Sequence, residues 1–305
     1  HVHAPELDYK HALMADKKDP FPFFRGTYYR WAKQWHQAGE PWNDAPVVLA
    51  IGDAHLENFG TWRDSDGRLI WGVNDFDEAD YLPYTQDLAR LAASICLAKP
   101  AADLRIGKSR VCRAILRGYH RQLATSATPF VLEEHHSELR ALAMASERDP
   151  KQFWKRLTRV LDEPLGKPPA EARELLLRGM PSERLVVQFR FHRRVGMGSL
   201  GKPRYVALAQ WQGGWIAREA KAATPPSTAW SEGRRRREKP LVDAALRVAV
   251  RCPDPLFFPG LRWNVRRLAP RCSRIELDLL QNAEHFERLT EAMGAEIANV
   301  HAGSS

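Results

Sequence analysis

The stretch Gly52-Asp53-Ala54-His55-Leu56-Glu57-Asn58-Phe59-Gly60, followed by Asn74-Asp75-Phe76-Asp77, constrains this chain more than any other. Residues 47–51 form a short apolar run ending at Gly52, and residues 69–73 form a second, so both read as buried strands. The Asp-Ser-Asp-Gly sequence at 64–67 signals a tight turn between them. Any fold that keeps these strands must hold Asp53 and Asn58 on one loop and release Asp75 from a neighbouring strand.

That placement suits phosphoryl transfer. The reaction needs a carboxylate near an acceptor hydroxyl, hard oxygen ligands for Mg²⁺, and donors around the phosphates. Asp53 fits the first role, as base or orienting carboxylate. Asn58 and Asp75 fit the second, because Mg²⁺ takes one or two protein carboxylates among its oxygen ligands. Asp77 is either an additional metal ligand or a structural acceptor for the loop. His55 is expected to brace the loop, since no second His stands at a ligand-like spacing, and Glu57 to be a solvated loop residue. The competing reading of the whole stretch is a polar surface hairpin.

A second motif, Gly196-Met197-Gly198-Ser199-Leu200-Gly201, lies more than a hundred residues later. A lone GxGxxG is weak evidence, and its context decides its meaning. A dinucleotide-binding loop should open a helix. Here strand-like residues 185–195 precede the motif, strand-like residues 205–211 follow it, and Pro203 opposes an immediate helix. Gly196, Gly198, Ser199 and Gly201 are therefore candidates for a loop between antiparallel strands whose backbone N–H groups cover phosphates. The next strand, around 215–221, carries two candidate cations. Arg218 shares a face with Ile216 in a regular strand, and Lys221 lies on the opposite face unless a bulge turns it. The apolar neighbour favours Arg218 and the chemistry favours Lys221, so both stand. Asp243 and Glu238 are candidate acidic partners. The run at 234–237 (Arg-Arg-Arg-Arg) reads as solvated.

A net charge of +9 favours an anionic partner: a nucleotide, a phosphorylated metabolite, nucleic acid or an acidic surface. No nucleic-acid reader motif is present, which makes nucleic acid an unlikely partner. The apolar runs are too short to span a bilayer. Four widely spaced cysteines (Cys96, Cys112, Cys252, Cys272) form no CxxC pair and suggest neither a zinc site nor a disulfide framework, which fits a reducing cytoplasm.

Along the chain, residues 85–180 are dominated by helical spacing, 181–268 by β-branched and aromatic runs with a Gly-Gly turn, and 275–300 by helical spacing again. The expected fold class is α+β.

Together these residues resemble known families. Gly52–Asn58 looks like the catalytic loop of aminoglycoside and choline phosphotransferases. Asn74–Asp77 looks like their metal-binding segment, and Asp87-Leu88-Ala89-Arg90-Leu91 resembles the helix that follows it. More closely, the chain resembles a bacterial family known as domain of unknown function 2252. The marks are Pro22-Phe23-Phe24-Arg25-Gly26-Thr27, Gly52–Gly60, Asn74–Glu78, Val195–Gly201 and Arg218-Glu219-Ala220, running from about Pro20 to His301. Arg218 stands where many members are expected to carry Lys.

The resemblance implies a bilobal protein-kinase-like fold in circularly permuted order. Residues 1–180 and 271–305 would form a helical large lobe and 181–270 a β-rich small lobe, with Ala269-Pro270 near the hinge. The helix ending near His301 would pack beside the N-terminal helix. The implied activity is an ATP- and Mg²⁺-dependent phosphotransferase acting on a small-molecule or protein acceptor that the sequence does not name. A nucleotide-binding pseudokinase scaffold and an AMP-transferring enzyme are the alternatives. Arg25 would either face the cleft and bind an anionic acceptor or pair with a carboxylate.

Overall fold

The computed structural model describes residues 4–38, 40–98, 104–144, 149–161, 168–191, 196–233, 240–272, 274, 280 and 282–304. Three helices come first: α1 (Ala4–Met14), α2 (Pro20–Gly26) and α3 (Tyr28–Ala38). Asp19 starts α2 by accepting from the Phe21 N–H, with Pro20 at the first helical position, where its missing donor costs nothing.

Strand β1 (Val47–Ala50) follows, then the hairpin β2 (Phe59–Arg63) and β3 (Leu69–Val73), then β4 (Asp80–Pro83). Asp64 closes the hairpin turn by accepting from the N–H groups of Asp66 and Arg68. β1 pairs antiparallel with β4, and β3 also pairs with the short β5 (Phe130–Val131). Strand β4 carries little signal in the sequence. Its alternation is brief, with Tyr81 outward and only Asp80 and Leu82 buried. Trp71 ties the second sheet together, stacking on Phe59 at 5.6 Å and meeting Phe130 edge-on at 5.0 Å.

Helices α4 (Tyr84–Leu97), α5 (Lys108–Ala124), α6 (Ser137–Ala143), α7 (Pro150–Val160) and α8 (Ala170–Arg178) lead to a four-stranded antiparallel sheet. Its strands are β6 (Gln188–Phe191), β7 (Arg204–Trp211), β8 (Gly214–Ala222) and β9 (Trp263–Leu268), in that spatial order. Short helices α9 (Ser227–Ser231) and α10 (Val242–Val248) lie between β8 and β9, and α11 (Ala283–Ala302) ends the described chain.

The main core joins the first two sheets to α4, α5 and α11. Two smaller clusters sandwich the four-stranded sheet. Ala172 and Leu176 of α8 pack on one face, and Leu157 of α7 packs on the other against Val206, Leu208 and Ala217. α11 does not run beside α1 as the sequence reading expects; its principal partner is α5. The reason is steric. Gly118 and Gly294 bring the two backbones so close that a Cβ at either would collide with the facing carbonyl, of Glu291 or Ile115. The whole is a mixed α+β fold with small antiparallel sheets. Among the described residues no helix is long and apolar enough to cross a membrane.

Candidate functional site

One face of α4 builds the loop that carries Asp53. Asp87, Arg90 and Ser94 recur at helical spacing and all point into it. Asp87 accepts from the N–H groups of Ile51 (2.7 Å) and Gly52 (2.9 Å). Ser94 accepts from Leu56 N–H at 3.0 Å. Arg90 donates through Nε (2.9 Å) and a terminal nitrogen (2.8 Å) to Asp53 Oδ1, and its plane lies 3.5 Å from the Phe24 ring centre. Asp87 is itself gripped from the far end of the chain. His301 Nε2 lies 3.1 Å from it, and Tyr119 Oη lies 3.0 Å from His301 Nδ1. Gly52 has φ +80°, and a side chain there would run into the Glu78 carbonyl.

Asn58 crosses the loop, donating to the backbone carbonyls of Asp75 (2.9 Å) and Asp53 (3.3 Å). Its Oδ1 is buried and makes no hydrogen bond among the described residues. Lys221 lies between the next two carboxylates, 2.6 Å from Asp75 and 2.5 Å from Asp77. Asn264 donates to Asp77 at 3.1 Å. Burial works against the charge on Asp75, but the Lys221 ammonium outweighs it and holds the carboxyl well below the usual carboxylate range. Burial likewise works against Lys221, and the two aspartates outweigh it, leaving the pKa of the ammonium raised.

Asp53, Asn58, Asp75, Asp77, Gly196, Gly198 and Lys221 therefore line one cleft, together with Arg25, His55, Glu78, Lys202 and Arg204. The loop at 196–201 joins β6 to β7, with positive φ at Gly196 (+68°) and Gly201 (+88°), and it passes over α2. The backbone at Ser199 lies in its short 3-10 turn.

Arg218 and Lys221, both open as the cleft cation in the sequence, are separated by the structure. The β8 register is regular through the pairs Glu219↔Arg266 and Lys221↔Asn264, with no bulge. Alternation sends Lys221 to the cleft and Arg218 to the α8 face, where its Nε donates to Gly179 O at 2.8 Å. There burial lowers its pKa to about 10, and Arg267 adds to the effect. Ile216 shares the Arg218 face, as read, but that face is turned away from the cleft.

Glu57 is not a solvated residue: it bridges Arg25 and Arg274. Arg25 pairs with Glu57 and also lines the cleft. His55 is buried in the loop, and desolvation, with Arg25 and Arg90 beside it, keeps its pKa well below the ordinary value, so the ring is neutral. Asp243 pairs with Arg247 on α10, away from Lys221. Glu238 and the arginine run at 234–237 lie outside the described residues.

Sequence reasoning named the Asp87–Leu91 segment and Glu78 only by resemblance and missed Lys202 and Arg204. A signal for the first was available: Asp, Arg and Ser at i, i+3 and i+7 after a strand. Burial pushes Glu78 up to about 7.

A divalent cation needs oxygen donors here. Among the described residues no group of three or more His, Cys, Asp or Glu is arranged to hold a metal by itself. Asn58 Oδ1 is, however, a buried acceptor without a donor among the described residues, and Asn58 and Asp75 line the same cleft. That pair fits a Mg²⁺ ion whose remaining ligands come from phosphate and water. The cleft has about 80 Å³ of free volume, room for an ion with a few waters.

Comparison with curated proteins gives no match, and comparison with solved structures gives none. Residues 5–167 match a family described as an uncharacterized protein conserved in bacteria. That match carries the Phe-Phe-Arg-Gly, Gly52–Gly60 and Asn74–Glu78 motifs, and it stops short of the loop at 196–201 and of β8. Because it covers more than half of the sequence, the chain belongs to this bacterial family, DUF2252.

Proposed function

We propose that the chain is an ATP- and Mg²⁺-dependent phosphotransferase with a kinase-like, circularly permuted arrangement. In this reading the helical large lobe comes from 1–180 and 271–305 and the β-rich small lobe from 181–270. Asn58, Asp75 and, alongside them, Asp77 would hold Mg²⁺, which supplies charge to neutralise phosphate oxygens. Lys221 and the backbone amides of the loop at 196–201 would hold the phosphates of ATP. Asp53, oriented by Arg90, would accept the proton of the acceptor hydroxyl or orient that hydroxyl for attack. Arg218 has no part in the cleft.

The observation that carries this reading is convergence. Two segments more than a hundred residues apart, 53–77 and 196–221, line the same cleft with the oxygen ligands, the cation and the glycine loop that phosphoryl transfer requires. A cytoplasmic setting belongs to the same proposal.

The test is release or transfer of the γ-phosphate from Mg·ATP by the purified chain, alone and with candidate hydroxyl acceptors. Asp75→Ala should lower turnover by about a hundredfold or more while the circular dichroism spectrum is kept. Undiminished turnover in that variant would sink the assignment. Chelation of Mg²⁺ should abolish turnover and added Mg²⁺ restore it.

A second reading, a nucleotide-binding scaffold without turnover, draws support from Lys221 occupying both Asp75 and Asp77 across a narrow cleft. Thermal stabilisation by ATP with no product would favour it. Parallel labelling at the α-phosphate separates AMP transfer from both.

A further inference from the structure

The segment 74–77 has a second side. Asp75 and Asp77 line the cleft, while Asn74 and Phe76 line a separate cavity of about 390 Å³. This volume lies in the range of small-molecule sites. The cavity is bounded by β2, by α10 and the segment that follows it, and by the edge strand β9. Trp62, Phe76 and Phe257 give it flat aromatic walls, and Leu246 adds an aliphatic one.

Four arginines also line it, against two aspartates, and three of the four have carboxylate partners. Arg247 pairs with Asp243, Arg267 with Asp254, and Arg266 with Glu219. Arg251 is the exception among the described residues. Its guanidinium lies 4.3 Å from the Trp62 ring centre and 5.3 Å from that of Phe76, and it donates to the Val73 carbonyl at 3.1 Å. Burial pulls its pKa down to about 10 against the opposing pull of Glu296 and Asp254. A half-buried cation beside empty space gains from an anion placed in that space. An apolar guest would leave it uncompensated, and a cationic guest would meet a surplus of arginines.

We propose that this cavity binds a small planar organic anion, an aryl carboxylate or aryl phosphate, whose ring lies among Trp62, Phe76, Leu246 and Phe257 and whose charge is taken by Arg251. The site is independent of the phosphotransferase reading.

The experiment is calorimetric titration of the full chain with benzoate and with phenyl phosphate, with benzyl alcohol as the uncharged counterpart. At least one anion should bind saturably with one site, and the alcohol about tenfold more weakly or worse. The preferred anion identifies the head group. Arg251→Met should weaken anion binding by about tenfold or more. Leu246→Trp, which fills the cavity and keeps Arg251, should weaken it similarly, so the test survives poor folding of either variant. Lys221→Met, in the other cleft, should leave the affinity unchanged. Absence of saturable binding by both anions, or full affinity in both cavity variants, would overturn the proposal. Weakening by Lys221→Met alone would also overturn it, by assigning the anion to the Asp53 cleft.

Discussion

Lys221 and Arg218 are three residues apart on one strand, and their fates differ because a strand alternates its faces. The sequence offered both as the cleft cation. It could not decide, because the deciding fact is which face of β8 meets α8 and which meets the Asp75 segment. Lys221→Met should cut Mg·ATP turnover by about a hundredfold or more. Arg218→Met should leave turnover per folded molecule nearly intact. It should lower stability by roughly 1–3 kcal/mol, because it strips the hydrogen bond to Gly179 O. Equal effects of the two substitutions on turnover would contradict the assignment of faces. Gly52 makes a similar point. Its place in the motif was legible, but its positive φ and its closeness to the Glu78 carbonyl were not, because they depend on a residue that arrives after a hairpin. Gly52→Ala should therefore cost more than the ~1 kcal/mol of an ordinary strained glycine replacement, read as a lowered midpoint in urea.

At the scale of elements, the long strongly patterned segments were legible. The apolar runs at 47–51 and 69–73, the turn at 64–67 and the helical run after Thr85 all lie where their residues point. In the β-rich region β7 and β8 lie within a residue or two of the expected runs, and β9 falls inside the block 181–268. What escaped was pairing. β1 takes β4 as its neighbour, a choice made by packing on α4 and α11 and carried by no local pattern. The α5–α11 crossing escaped for the same reason: a glycine in a helix reads as a defect until its partner helix is known. Gly118→Ala and Gly294→Ala each add a methyl where a carbonyl already stands, although alanine is the better helix former. Each should destabilise by about 1–3 kcal/mol, seen as a fall in melting temperature. A rise in melting temperature would mean that helix propensity outweighs the crossing.

For the whole molecule, α11 contributes a charge problem as well as a packing surface. Glu296 is 2% exposed, accepts from Val73 N–H at 3.1 Å and from Asn299 at 3.0 Å, and is pushed by burial from 4.5 up to about 7. Because the folded value lies above the unfolded one, the stabilising contribution is complete below pH 4.5 and is lost as pH rises through 7. Glu296→Gln removes that loss. The melting temperature of the variant relative to the parent should climb across this window, by the equivalent of ~3 kcal/mol. Glu78 shifts in the same direction but is common to both proteins, so it cancels in the comparison. Parallel pH curves for the two proteins would rule out the buried carboxylate as their source.

His301 holds Asp87, which holds the backbone of the loop that presents Asp53, and Ser304 Oγ accepts from Leu49 N–H in the strand before it. The order of synthesis gives this bond a meaning of its own. On a translating ribosome the loop emerges early, yet its fastening is made by residues that follow on the order of ten seconds or more later. A chain interrupted anywhere before His301 would carry the Asp53 loop without that fastening on Asp87. Until synthesis has passed His301, the backbone that presents Asp53 is held by Asp87 without that partner.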